Sequence, residues 1–138
     1  LTYAHKSKVP AVQSRAEIEK TLVRYGATGF AYGTEPGRVM IAFQTRERRI
    51  RFVLPVTPPA HLSKNQADQF VRSRWRALLL SIKAKLEAVE SGLETFDSAF
   101  MSHIVMPNGQ TMAEHALPFI QEAYSTGKMP PLLAFNGS

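Results

Sequence analysis

Apolar residues recur along this chain with two different periods, and the changes of period mark its elements. Ile18, Leu22 and Tyr25 are spaced by four and three, which lays them on one helical face. Ser14 and Glu17 before them have the form of a capping box, and Gly26 after them is a natural stop. The pattern predicts a helix over 15–25. The period then falls to two. Phe30–Tyr32 reads as a short strand. Val39, Ile41 and Phe43 alternate within 38–44, and Ile50, Phe52 and Leu54 within 49–54. Thr34-Glu35-Pro36-Gly37 and Thr45–Arg48 are the turns between them. These are three antiparallel strands in a meander with one buried face.

Pro55, Pro58 and Pro59 end the sheet, and Ser63 with Gln66 opens a second capping box. Val71, Trp75, Leu78, Ile82, Leu86 and Val89 then step by three and four, predicting a long helix over about 64–91 closed by Gly92. Trp75 is in phase with Leu78 and Ile82 and is read as core. Phe96, Phe100 and Ile104 repeat at four, as in a helix. Pro107-Asn108-Gly109 is a turn, and Thr111 with Glu114 is a third capping box, opening a helix through Leu117, Ile120 and Tyr124. Pro118 inside it predicts a kink or a restart. Gly127 is its stop.

The strands are consecutive, so the fold class is α+β: a helix, a three-stranded antiparallel meander, a long amphipathic helix, then two or three shorter helices. Pro10 discourages helix in 1–13, which is expected to be an extended arm. Residues 14–127 form a single domain, and 128–138 an extended tail that packs on its own domain or serves as a docking strand.

Composition narrows the function classes. Among 138 residues there is no cysteine, which removes disulfides, thiolate metal sites and a cysteine nucleophile and predicts a reducing, cytoplasmic setting. No run is long or apolar enough to span a membrane. Lys and Arg total 17 against 11 Asp and Glu, a formal net charge of +6 that favours anionic partners.

The positive charge is clustered. QTRERRIRF, residues 44–52, holds Arg46, Arg48, Arg49 and Arg51. Arg46 and Arg48 fall in the turn, and Arg49 and Arg51 on the outer sheet face, with Met40 and Ala42 on the neighbouring strand; Arg38 begins that strand. Guanidinium groups with few acids suit phosphate contacts. The same arginines would also keep a strand soluble and its edge unpaired. On the long helix Arg72, Arg76 and Lys83 share a narrow band beside the apolar stripe. Phe43 and Phe52 point to the core, so no platform for stacking bases is visible.

Catalytic chemistry finds no support. The helix–strand–strand–strand–helix order is that of double-stranded RNA-binding domains, but HLSKNQADQF offers only Lys64 where those carry a lysine cluster. It also opens restriction-endonuclease-like cores, but arginines stand where magnesium-binding acids would be. His103 and His115 are twelve apart, a poor spacing for zinc, and His5 and His61 are distant. No glycine-flanked serine elbow, Walker loop or dinucleotide fingerprint is present. No cofactor and no metal are expected.

Four segments together, SRAEIEKTLVRYGATGFAYG, RRIRFVLP, RSRWRALLLSIKAKLEAVESGLETF and GKMPPLLAF, resemble a family of small proteins associated with bacterial prophages and other mobile elements. The resemblance runs from about Ser14 to Phe135. It carries no assigned activity and no functional residue. It implies a setting in phage or mobile-element DNA metabolism, or in interference with a host defence. The sequence thus points to a non-enzymatic nucleic-acid-binding protein, contacting DNA or RNA through Arg38, Arg46, Arg48, Arg49, Arg51, Arg72, Arg76 and Lys83. The alternative is a protein-interaction module, docking on a host or phage protein through Met112, Leu117, Phe119 and the tail 129–135. A homo-oligomer is open, because the long helix has more apolar surface than three strands can cover.

Overall fold

The computed structural model describes residues 2–45 and 47–130, with side chains from Val12 onward. Its order is helix α1 (Thr2–Arg24), strands β1 (Thr28–Glu35), β2 (Arg38–Thr45) and β3 (Arg48–Pro55), long helix α2 (Lys64–Glu90), short helix α3 (Phe96–Phe100), a 3-10 turn (Met101–His103) and helix α4 (Met112–Thr126). The fold is α+β, with an antiparallel sheet in the order β1-β2-β3.

Alternation makes the sheet two-faced. Val39, Ile41, Phe43, Ile50, Phe52 and Leu54 are buried on the inner face, in one cluster with Ile18 and Leu22 of α1 and Trp75, Leu78, Leu79, Ile82 and Leu86 of α2. Arg49 pairs with Gln44, Arg51 with Ala42 and Val53 with Met40 on the outer face. The β2–β3 turn is tight, since Thr45 pairs with Arg48. Arg46 lies outside the described residues. The β1–β2 turn needs its glycine. Gly37 has φ +84°, and a Cβ there would lie 2.6 Å from Thr57 Oγ1.

α1 and α2 lie side by side on the inner face. Lys83 Nζ meets Glu17 Oε2 at 2.7 Å, and Tyr25 Oη donates to Glu90 Oε1 at 3.1 Å. Both partners advance together, so the helices run parallel. Tyr32 ties α1 to the sheet by donating to Glu19 Oε1 at 3.1 Å, and burial together with that carboxylate pushes its phenol up to about 12.

The last third closes one edge of the sheet. Phe100 is fully buried and meets Phe43 and Phe52 edge-on, at 6.2 and 6.4 Å between centroids. Ile104 bridges to Ile50, and Val105 N donates to Arg49 O at 2.8 Å, so this segment pairs with β3. Thr111 and Glu114 then form a complete capping box for α4.

Four expectations are corrected. The arm 1–13 is not extended, for α1 starts at Thr2 and runs through Pro10 and Ser14, so Ser14 caps nothing. Proline removes one backbone donor, and the residues around it, including Ala4, Lys6, Lys8 and Ala11, are adequate helix formers. β1 has eight residues rather than three, because glycines and Ala31 hide its alternation. The repeat at Phe96, Phe100 and Ile104 does not continue as helix, since Ile104 leaves it to bridge β3. Of the kink or restart expected at Pro118, the restart does not occur, for α4 runs through it as one helix. Pro118 is exposed, so water can satisfy the Glu114 carbonyl that loses its partner.

Candidate nucleic-acid interface

The arginines of the hairpin are mostly engaged within the protein. Arg48 Nε and Nη2 each donate to the Asp97 carboxylate at 2.8 Å, a bidentate pair that fastens the hairpin to α3. That hydrogen bond holds the Asp97 carboxyl below its ordinary range and raises Arg48. Arg51 Nη2 donates to Gly109 O at 2.9 Å and to Glu114 Oε1 at 3.0 Å, and its side chain is only 22% exposed. It braces β3 against the first turn of α4. Arg38 pairs with Glu35 across the β1–β2 turn. Arg49 alone of the described hairpin arginines is exposed and makes no ion pair with the described residues.

On the helical layer the arrangement differs. Lys83, Arg76 and Lys20 surround the single carboxylate of Glu17. The hydrogen bond from Lys83 lowers the pKa of Glu17 most, then the charge of Lys83, with smaller contributions from Arg76 and Lys20. Arg72 stands one turn before Arg76, and Arg24 one turn after Lys20. A cationic seam therefore follows the groove between α1 and α2, and at its Arg24 end it meets the carboxylates of Glu87 and Glu90 around Tyr25. From Arg72 to Lys83 it spans about 16 Å, the axial length of roughly five phosphates of one DNA strand. Lys20 and Arg24 are new members. Their signal in the sequence is the spacing of Glu17, Lys20 and Arg24 by three and four, which puts them on one stripe of a helix.

The eight cations read from the sequence are thus not one patch. Arg72, Arg76 and Lys83 lie on the helical layer, whereas Arg49 lies on the outer sheet face across the core. Arg38, Arg48 and Arg51 are tied to carboxylates. Arg74, flanking Trp75, donates to Pro55 O at 3.1 Å and sits over the Phe70 ring. Trp75 is 5% exposed, as expected of a core residue, and cannot stack on a base.

Of the histidines considered as metal ligands, His103 has other surroundings. His103 stacks on Phe52, with centroids 4.0 Å apart. Glu114 accepts from Thr111 N and Arg51. Among the described residues no group of three or more His, Asp or Glu is placed to hold a metal ion. No helix among them is long and apolar enough to cross a membrane.

His103 gives a pH prediction. Burial, then the charge of Lys85, lowers its pKa from the ordinary 6.5, against a backbone hydrogen bond involving Arg51. A group depressed in the folded state stabilises above its unfolded pKa, and that stability is lost as pH falls through the folded one. Glu17, Asp97 and Glu114 are all lowered from 4.5, 3.8 and 4.5, so their losses come at more acid pH. The melting temperature of the wild type should therefore decline as the pH falls below about 6.5, and that of His103→Phe should decline less. Equal declines in both proteins would remove His103 as the cause.

Comparison with known protein families, curated proteins and solved structures finds no match to this chain.

Proposed function

We propose that this chain is a non-enzymatic nucleic-acid-binding protein of a prophage or mobile element, and that the α1–α2 seam contacts phosphates. One observation carries the reading: Lys83 pairs with Glu17 across the groove and the charges of Arg76 and Lys20 act on the same carboxylate, with Arg72 and Arg24 one helical turn further out along their helices. Basic side chains in a row read no base edges, so the contact follows the backbone rather than the sequence. The resemblance to proteins of mobile elements supplies the setting.

The test is binding of single-stranded DNA, duplex DNA and RNA by three proteins. Wild type should bind at low salt. Arg72→Glu/Arg76→Glu should lose at least tenfold in affinity while staying folded, since two attractive contacts become repulsive. Arg49→Glu, on the far side of the sheet, should change affinity much less. No binding by wild type to any of the three would sink the reading, and a larger loss in Arg49→Glu would return the site to the hairpin.

A second reading, a protein-interaction module, rests on α4. This helix carries Leu117, Ile120 and Tyr124 and buries none of its residues. The tail expected to act with it lies outside the described residues beyond Pro130.

A further inference from the structure

The sheet has one occupied edge and one open edge. At the β3 edge Ile104 bridges to Ile50, and Val105 N donates to Arg49 O at 2.8 Å. At the β1 edge no strand lies beside residues 30–34 among the described residues, and no backbone group from outside the sheet bonds to them. Alternate N–H and C=O groups of an edge strand point outward, and natural edges are guarded by lysine, proline or an inward charge. Residues 30–34 are Phe-Ala-Tyr-Gly-Thr and hold none of these. A bulge at Gly29 bounds this stretch on one side, and Glu35 on the other. Gly33 has no explanation within its own chain, for a Cβ there would meet nothing closer than Met40 Cβ at 4.0 Å, an ordinary contact. A glycine inside a strand often marks the approach of another backbone.

We propose that the occupant is β1 of a second copy of this chain, paired antiparallel about a two-fold axis normal to the sheet that passes between the two Ala31 residues. The strand itself selects this partner. Gly29-Phe30-Ala31-Tyr32-Gly33 reads alike in both directions by residue class. The two-fold therefore sets Phe30 against Tyr32 of the second copy twice, Gly29 against Gly33 twice, and Ala31 against Ala31. Phe30 and Tyr32 are partly buried against the core, and aromatic cross-strand pairs are favourable. Ala31 and the glycines leave the outer face clear, and no charge meets a like charge across the five pairs. α1 adds a second surface. Tyr32 contacts both Arg15 and Glu19, so that side of the helix faces β1. Val12 and Val23 lie within about 40° of Glu19 around the helix and are 50% and 54% exposed. A copy paired on β1 approaches that flank. Pairing stops at two copies, because the β3 edge is taken at Arg49 and Ile50. Self-association stands independently of nucleic-acid binding. If both hold, the axis normal to the sheet turns both α1–α2 seams to the same side, and the dimer binds long nucleic acid with avidity.

Sedimentation velocity across a dilution series is the test, with Trp75 fluorescence and circular dichroism as controls for folding. Wild type should move from dimer to monomer on dilution. Ala31 is exposed, so Ala31→Glu and Ala31→Lys should each fold. Each alone sets like charges opposite one another and should stay monomeric, whereas a one-to-one mixture of the two should dimerise again. Ala31→Cys should form a disulfide-linked dimer on oxidation, since directly opposite residues of an antiparallel pair lie about 4.5–5.5 Å apart at Cα, and the chain has no other cysteine. Val53→Cys, exposed on the strand at the other edge, should not. A wild type monomeric at every concentration overturns the proposal and leaves the edge to a strand of another protein. A dimer that Ala31→Glu leaves intact also overturns it, and belongs to another surface. Should Ala31→Glu unfold, the cysteine variants decide, and equal cross-linking at positions 31 and 53 sinks the two-fold at Ala31.

Discussion

Replacing Phe100 by alanine should lower stability by about 3–5 kcal/mol, the usual cost of emptying a buried aromatic site. Phe100 is fully buried although it comes from a five-residue helix. Its ring packs against Phe96 at 4.5 Å and edge-on against Phe43 and Phe52. It is the residue through which the last third of the chain enters the core of the sheet and α2. Edge-to-face pairs add about 0.5–1.5 kcal/mol beyond burial, and an alanine loses both pairs at once. Against a typical stability of about 5–15 kcal/mol, the change shifts the folding equilibrium by a factor between about a hundred and a few thousand. Urea unfolding followed by Trp75 fluorescence gives the value, and Phe100→Leu should cost distinctly less because it refills most of the volume. A loss under about 1 kcal/mol in Phe100→Ala would mean that α3 and α4 fold apart from the sheet.

How much of this architecture is legible in the sequence depends on how local each signal is. The capping boxes at Ser63 and Thr111 are legible because a cap and its third residue lie within one turn, and both are complete. The buried faces of β2, β3 and α2 are legible because a full row of large apolar residues keeps one period. β1 is cut short because Gly29, Ala31 and Gly33 on its outer face give no contrast with the turn residues around them. The start of α1 is hidden because a single proline is a louder local signal than the helix formers beside it.

The site is less legible than the fold, for a reason of range. Arg48 and Asp97 are 49 residues apart, and Arg51 and Glu114 are 63 apart. A run of arginines in sequence looks unopposed until the carboxylates that meet it arrive from elsewhere. The seam has the reverse history. Its two halves are separated by three strands, and only the parallel packing of α1 and α2 sets Glu17 and Lys20 beside Lys83. The positive charge left over after pairing is what an anionic partner meets.

That leftover charge sets the size of the salt effect. Each phosphate neutralised contributes about −0.7 to −0.9 to the slope of log affinity against log salt. With four or five seam cations engaged, a fourfold rise in salt should weaken binding between about 50-fold and 500-fold, and Arg72→Glu/Arg76→Glu should flatten the slope by about 2. Glu17 adds a sharper discriminant. It is exposed and paired with Lys83, so its ion pair contributes little to stability. Towards a phosphate it acts twice, repelling the anion and occupying the lysine. Glu17→Gln keeps the shape of the side chain and removes both effects. It should bind several-fold more tightly at low salt, with a slope steeper by about one contact. Most substitutions in a binding site weaken it, so a tightening from a loss of charge at this position is hard to obtain by accident. Weaker binding by Glu17→Gln, or equal slopes for wild type and Arg72→Glu/Arg76→Glu, would place the phosphates somewhere other than the groove between the two helices.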